Sequence, residues 1–568
     1  MIKIWQSHQD YIHFLHEAKI HFDSSQRTRL TREFAAAREK LRLLNLDPVM
    51  ALLEPYYPPL GRPAINQPQI LRSLILMLDQ GFTGITAWVE KLSSDSLLAF
   101  LIGCTPHTLP PLGSYYDFID RLWLQDKQFQ KSARKDLFPA DKNRKPANKP
   151  AKGKKLPNRH PEITKIMARE ALSRDEFPFY YEKLLQQAFC AAAILPSLQR
   201  GLIHKDGITL SGDGTCVHTH ASPYGHKVCG CPVHGQARCS CPRHYSDPDA
   251  HWGWDSDLGT YYFGYTLYML SYHDGQLGID LPLHIRFLDA RRHDSVSGIV
   301  TLKEFRDLNP DIPIQNLCFD SANDNYPTYN LCKTWGIRPF IDLNASRGMP
   351  KSIPDEIIID KDGTPICQAG YRMVYWGYCS GRSRCKWRCP LACRKVDNCP
   401  CRDKCSKSPY GRCVYTKPEW DARLYPPVAR GTREYKKIYK NRTSCERVNN
   451  RILNDYHLHA MGIHRRKRYT FFAVIAGINI HADAWMKKQS KGSADETTSI
   501  QFNKIDNFKQ HPIVQGRSAP KIKNYSYKQI GCCTYSMQIL TNVHFCIIFN
   551  PLFKSFREYS AVCDVNCR

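Results

Sequence analysis

The sequence predicts an α/β protein, a layered sheet with cysteine-rich insertions, preceded by an all-helical domain. Two observations carry that expectation. From residue 208 onward three strand-like stretches come in succession and then helix and strand alternate, an order that suits a layered α/β sheet. Before residue 130 the apolar residues recur at helical spacing instead. With 568 residues the chain is too long for one ordinary core, so two to four domains are expected.

The helical part is read from three segments. Residues 67–80 carry Ile70, Leu71, Leu74, Ile75 and Leu78 at helical spacing, punctuated by Pro63 and Gly81. Residues 83–103 repeat the pattern with Trp88, Val89, Leu92, Leu97, Leu98 and Leu101, and 114–122 carry Tyr116, Phe118 and Ile119. Residues 141–160 are rich in Lys, Arg and Pro and nearly free of apolar residues, so they read as a linker that can neutralise phosphates. Helical periodicity returns over 161–203. Strands are expected at 208–213, 260–272, 281–288, 314–320 and 337–342, with helices at 298–308 and 325–335.

The formal charge is +27, from 80 Lys+Arg against 53 Asp+Glu, which favours a polyanionic partner. The longest apolar run, 471–480, is about half the ~20 residues a spanning helix needs, and no membrane association is expected. The first residues lack the apolar stretch of a secretory signal, so a cytoplasmic, nucleoid-associated protein is expected. In that compartment the 24 cysteines read as thiols or metal ligands rather than disulfides.

The chemistry centres on 438–453, which reads as helix on the apolar stripe Ile438, Val448, Ile452 and Leu453. Tyr439, Arg442 and Glu446 stand at i, i+3 and i+7, so they project from one face. A carboxylate one turn from an arginine suits a phosphate or a metal. Two strand ends could supply partners: Asp213 in Ser211-Gly212-Asp213-Gly214-Thr215, and Asp320 in Phe319-Asp320-Ser321-Ala322-Asn323-Asp324. Two strand-end aspartates and one helix glutamate are what two-metal phosphoryl transfer needs.

Together these motifs resemble the DDE transposases of bacterial insertion sequences, with the Tyr-x2-Arg-x3-Glu signature at 439–446; the resemblance spans about residues 60–487. Asp247 to Trp254, followed by Phe263-Gly264-Tyr265, adds to it. The resemblance implies an RNase H-like catalytic domain and an N-terminal helical domain that binds the element's ends. It implies Mg²⁺ or Mn²⁺ held by Asp213, Asp320 and Glu446, and double-stranded DNA as partner, bound by a homo-oligomer. Tyr439, Arg442, Arg447 and Arg451 are the expected DNA contacts. The signature continues with Lys seven residues after the glutamate, where this chain has Leu453, and a Lys there could reach DNA. Two alternatives stay open: a nuclease of the same fold without strand transfer, and a zinc-knuckle DNA-binding protein whose acids are relics.

Two cysteine clusters complete the reading. Cys229-x-Cys231-Pro-x-His234 repeats ten residues on as Cys239-x-Cys241-Pro-x-His244, and such soft ligands at close spacing favour Zn²⁺. A second set, Cys385, Cys389, Cys393, Cys399, Cys401 and Cys405, lies among basic residues and reads as a zinc module that contacts DNA, with an iron–sulfur cluster as the alternative. The expected domains are 1–130, helical; 131–200, basic linker and helix; 201–345, first catalytic part with the insertion 216–251; 346–430, cysteine-rich insertion; 431–488, second catalytic part. The tail, 489–568, lacks clear periodicity.

Overall fold

In the computed structural model the structure describes residues 5–123 and 159–494, except 58, 59, 62, 178–180, 225, 228, 232, 237, 238, 240–242, 345–351 and 402–404. Most of the expected basic linker and nearly all of the tail lie outside the described residues. Met1–Lys487 belongs to one compact unit, so the helical N-terminal part and the sheet share it.

The chain is mixed α/β. Its strands, in chain order, are β1 (Ile208–His218), β2 (His226–Lys227), β3 (Arg243–His244), β4 (His251–Asp255), β5 (Thr260–Asp274), β6 (Ile279–Asp289), β7 (Ile314–Phe319), β8 (Arg338–Ile341), β9 (Val374–Cys379), β10 (Arg384–Arg388) and β11 (Cys413–Thr416). In the main sheet β1 is antiparallel to β5 and parallel to β7, and β7 is parallel to β8. The other edge of β5 carries β6 over Tyr265–Asp274 and β4 over Thr260–Gly264. The strand order is therefore β6–β5–β1–β7–β8, with β4 extending the β6 edge.

The expected elements are present, with bounds set by local chemistry. β1 runs five residues past Asp213 because β5 pairs with it as far as His218, opposite Gly264. That crossing needs a glycine, since a Cβ on Gly264 would stand 2.0 Å from the Val217 carbonyl. The helix expected from 298 begins earlier, as Asp294–Leu308, because the His293 side chain accepts the Ser295 N–H and caps it. The stretch 83–103 is two helices, Ile85–Ser94 and Ser96–Leu101. Asp95 between them is extended and its carboxylate caps the second.

The helix Arg466–Ala494 ties the layers together. Asn479 donates to the Ile75 carbonyl (3.1 Å) in the N-terminal part, and Trp485 Nε1 donates to Ser197 Oγ (2.7 Å). His481 bridges Ser197 Oγ and the Pro282 carbonyl of β6, both at 2.7 Å. In this helix's first turn Lys467 pairs with Asp120, and Arg468 lies over the Tyr116 ring. Lys40, almost wholly buried, pairs with Asp79 and with Asp483 (2.7 Å). Asp483 also accepts from Arg451 (2.6 Å) and Tyr456 (2.7 Å).

Removing one partner of a buried ion pair leaves the others' charges uncompensated, at a cost of about 3–5 kcal/mol. Lys40→Ala is accordingly expected to lower stability by that order in denaturant unfolding. A loss under about 1 kcal/mol would place the network in solvent rather than in the core.

Candidate active site and metal centre

The parallel pairing of β1 and β7 places the two aspartates. Ser211 lies beside Cys318, and two residues further along each strand direction come Asp213 and Asp320. Side chains alternate along strands, so Ser211, Asp213 and Thr215 face one side of the sheet and Gly212 and Gly214 the other. Against the first side lies the helix Thr443–Asn450, which carries Glu446. It sits close because its neighbours are small and hydrogen-bonded. Ser211 Oγ donates to the Asn441 carbonyl (2.8 Å), Ser271 Oγ meets Ser444 Oγ (2.8 Å), and Asn449 Nδ2 donates to Thr215 Oγ1 (2.7 Å). On the opposite side a Cβ on Gly212 would strike the Phe319 ring at 2.2 Å.

Arg442 joins two of the three acids. One of its guanidinium nitrogens is 2.6 Å from Glu446 Oε1 and another 3.6 Å from Asp213 Oδ2. Asp320 Oδ1 accepts from Asn323 Nδ2 at 2.9 Å. Burial raises the Asp213 carboxyl to about 7, helped by the charge of Asp320 and opposed by Arg442. Among the described residues, no three carboxylate oxygens of this site lie within 4.8 Å of one another. Glu446, 51% exposed, is instead drawn onto Arg442. Asp324, in the same motif as Asp320, is a buried anchor that accepts from Arg423 at 2.9 and 2.7 Å.

The other expected DNA contacts have internal partners. Arg447 holds Asp280 (2.6 and 2.7 Å) and Arg451 holds Asp483. The Tyr439 ring stacks on Tyr435, with centroids 6.0 Å apart. The expected single helix is segmented: Arg433–Tyr439, a 3₁₀ turn Lys440–Arg442, Thr443–Asn450, and a π turn Arg451–Asp455. Leu453 lies in that π turn and is 5% exposed in the main core. The wider turn carries it off the Glu446 face, so a Lys there would be buried rather than aimed at DNA.

A fourth carboxylate escaped the sequence reading. Asp294 opens the helix on the far side of β1, and its Oδ1 lies 2.5 Å from where a Cβ on Gly214 would stand. Burial raises it to about 8, reinforced by the charges of Asp320 and Asp213. Starting that helix at 298 hid it; the signal was His293-Asp294-Ser295, a helix-capping pattern four residues after the end of β6.

The first cysteine cluster converges. The thiols of Cys229, Cys231 and Cys239 lie within 4.8 Å of one another, with Cys229 and Cys239 Sγ 3.5 Å apart. Four thiolates around Zn²⁺ with ~2.3 Å bonds stand roughly 3.8 Å apart, so these three could hold a metal such as zinc. They come from both repeats because β2 and β3 pair, His226 opposite His244. The two units thus contribute to one site. His234 is exposed with its ring 3.7 Å from Gly230's Cβ position; Cys241 and the side chains of His226 and His244 lie outside the described residues. The second set does not close in this way among the described residues. Cys385 is buried with Met373, Trp387 and Ala429, its thiol facing the Pro426 carbonyl (3.9 Å), where burial pushes it up to about 11. Cys389 and Cys393 share a turn, and Cys401 lies near Cys399 and Cys405 and also Cys367, which the sequence reading did not include.

No protein-family model matches this chain, and no curated protein matches it significantly.

Two measurements test this geometry. An unfolded aspartate titrates near 4, whereas folded Asp213 and Asp294 keep their protons to about 7 and about 8. Below pH ~4 both states are protonated; above it the folded state binds more protons, so stability falls as pH rises and levels off past pH ~8. Metal-free protein should therefore lose a few kcal/mol between pH 5 and 8, and Asp213→Asn with Asp294→Asn should flatten that loss. A pH-independent melting temperature in the parent would contradict the burial of these acids. For the cysteines, elemental analysis of purified protein should find tightly held zinc, reduced in Cys229→Ser and Cys239→Ser alike; loss in only one variant would break the shared site.

Proposed function

We propose that this protein is a DNA transposase of the DDE type, acting by metal-dependent strand cleavage and strand transfer on an RNase H-like fold. The observation that supports the reading is the placement of Asp213 and Asp320 at matched positions of two parallel strands, with Arg442 3.6 Å from Asp213 and 2.6 Å from Glu446 on the helix laid across them. The strand order β6–β5–β1–β7–β8, with β5 alone antiparallel among them, supports the RNase H-like fold.

The donor set suits Mg²⁺ or Mn²⁺, since carboxylates and these cations are both hard. Bound by Asp213, Asp320 and Glu446, such ions would lower the pKa of an attacking water or 3′-hydroxyl and stabilise the leaving oxygen. Asp213 and Asp294, whose carboxyls burial and the charge of Asp320 raise, would be the groups to release protons where a cation is bound. Arg442, 2.6 Å from Glu446 and 3.6 Å from Asp213, has the planar fork that would grip a phosphate beside these acids. The chain's charge of +27 supports double-stranded DNA as partner, bound by a homo-oligomer.

The test uses a linear duplex containing the DNA that flanks the gene. Mg²⁺-dependent cleavage is expected, followed by joining of the cut end to a second DNA, and Asp213→Asn, Asp320→Asn and Glu446→Gln should each lower both by at least 10³-fold. Cleavage without a joined product would make the protein a nuclease. Cleavage retained in all three variants would remove the acids from the mechanism.

A further inference from the structure

The cysteine-rich insertion carries a surface that the acid site does not use. β9, β10 and β11 form an antiparallel three-stranded sheet. Its inner face packs Cys385 and Trp387 into the cluster with Met373 and Ala429. Alternation along β10 then sends Arg384 and Lys386 to the outer face, about 7 Å apart; the register against β9 shifts after Lys386, and Arg388 is buried. Lys386 stands opposite Gly377 on one neighbour and Tyr415 on the other, so on the β9 side no side chain lies across from it.

Aromatic rings flank this row. Arg388 lies between Trp376 and Tyr410, at 4.0 and 4.5 Å from their centroids, and Arg384 lies over Tyr415 at 3.9 Å. Trp376 and Tyr410 are 52% and 58% exposed, large apolar rings offered to solvent. Arg388, 7% exposed, donates to the Tyr410 carbonyl (3.2 Å) and fixes the two rings, whereas Arg384 and Lys386 are half-buried and in no ion pair among the described residues. Arg447 and Arg451, by contrast, are neutralised within the fold.

Two unneutralised cations, Arg384 and Lys386, beside exposed rings fit a polyanion whose units also present flat π faces. Base faces in a duplex are stacked on one another and closed to such rings, whereas unpaired nucleotides leave them open. We propose that the outer face of β9–β10–β11 binds single-stranded DNA, with Arg384 and Lys386 along the phosphates, and Trp376 and Tyr410, held by the buried Arg388 between them, stacked on bases. This surface is separate from the acids, so its occupancy is read without any cleavage.

The experiment measures binding of the full chain, carrying Glu446→Gln, to a fluorescent oligothymidylate by anisotropy across a salt series. Trp376→Ala is expected to weaken binding by about tenfold with the salt slope unchanged, as loss of one stacked base would. Lys386→Ala should weaken binding and lower the salt slope by about 0.7, the value for one phosphate contact on a single strand. Melting temperature and zinc content of both variants should match the parent. The proposal is overturned if both variants bind like the parent, if duplex DNA of the same length binds as tightly and loses as much, or if polyglutamate displaces the oligomer and is itself insensitive to Trp376→Ala.

Discussion

The contact on which the site depends is the close approach of the helix Thr443–Asn450 to strands β1 and β5. A helix can lie that near a sheet only where the facing side chains are small and their polar atoms are paired. Ser211, Thr215 and Ser271 supply that surface from the strands, and Ser444, Cys445 and Asn449 from the helix. Larger residues at these positions would lift Glu446 away from the strand ends. The same constraint acts from behind, where Gly212 admits Phe319 and Gly214 admits the carboxylate of Asp294. The glycines on either side of Asp213 therefore serve packing on the far face, while Asp213 itself faces the helix.

Charge is organised in the same economical way. Most of the polar groups that might be read as binding groups are neutralised within the fold. Glu304, fully buried, accepts from Arg286 at 3.0 Å, and against the upward push of burial Arg286 and His284 hold its carboxyl below the usual carboxylate range. Lys40, Asp483, Arg451 and Tyr456 form another closed set that joins the N-terminal helices to the turn after Glu446. Two regions differ. Around Asp213 and Asp294 negative groups outnumber the one nearby cation, and burial holds protons on them. On the outer face of β10, Arg384 and Lys386 are in no ion pair among the described residues. An excess of one sign, held in place by the fold, calls for a ligand of the other sign.

The cysteine clusters show how repetition and proximity differ. The twin C-x-C-P-x-H units invite the reading of two equal ligand sets, yet hairpin pairing of β2 with β3 folds them onto one group of thiols. In the second set, Cys385 alternates onto the packed face of β10 and becomes core. Spacing in sequence reports ligand chemistry, but which thiols converge is decided by strand pairing and by which face each residue occupies.

Local patterns determined much of this protein from sequence alone. Alternating and helical apolar periodicity located β1, β5, β6, β7 and β8 and the helices between them, because that periodicity is burial written along the chain. The candidate acids were legible for a related reason: Asp213 and Asp320 each follow an apolar strand, and Glu446 shares a helix face with Arg442. Long-range geometry decided the rest. Nothing near Asp294 in sequence marks it as a neighbour of Asp213; only the packing of its helix under Gly214 brings the two together. Arg447 and Arg451 read as free cations until Asp280 and Asp483 arrive from other strands and helices. Leu453 read as two turns beyond Glu446 on nearly the same face, and the π turn placed it in the core. Pairing, neutralisation and helical phase depend on what arrives from distant parts of the chain, and these the tertiary structure alone decides.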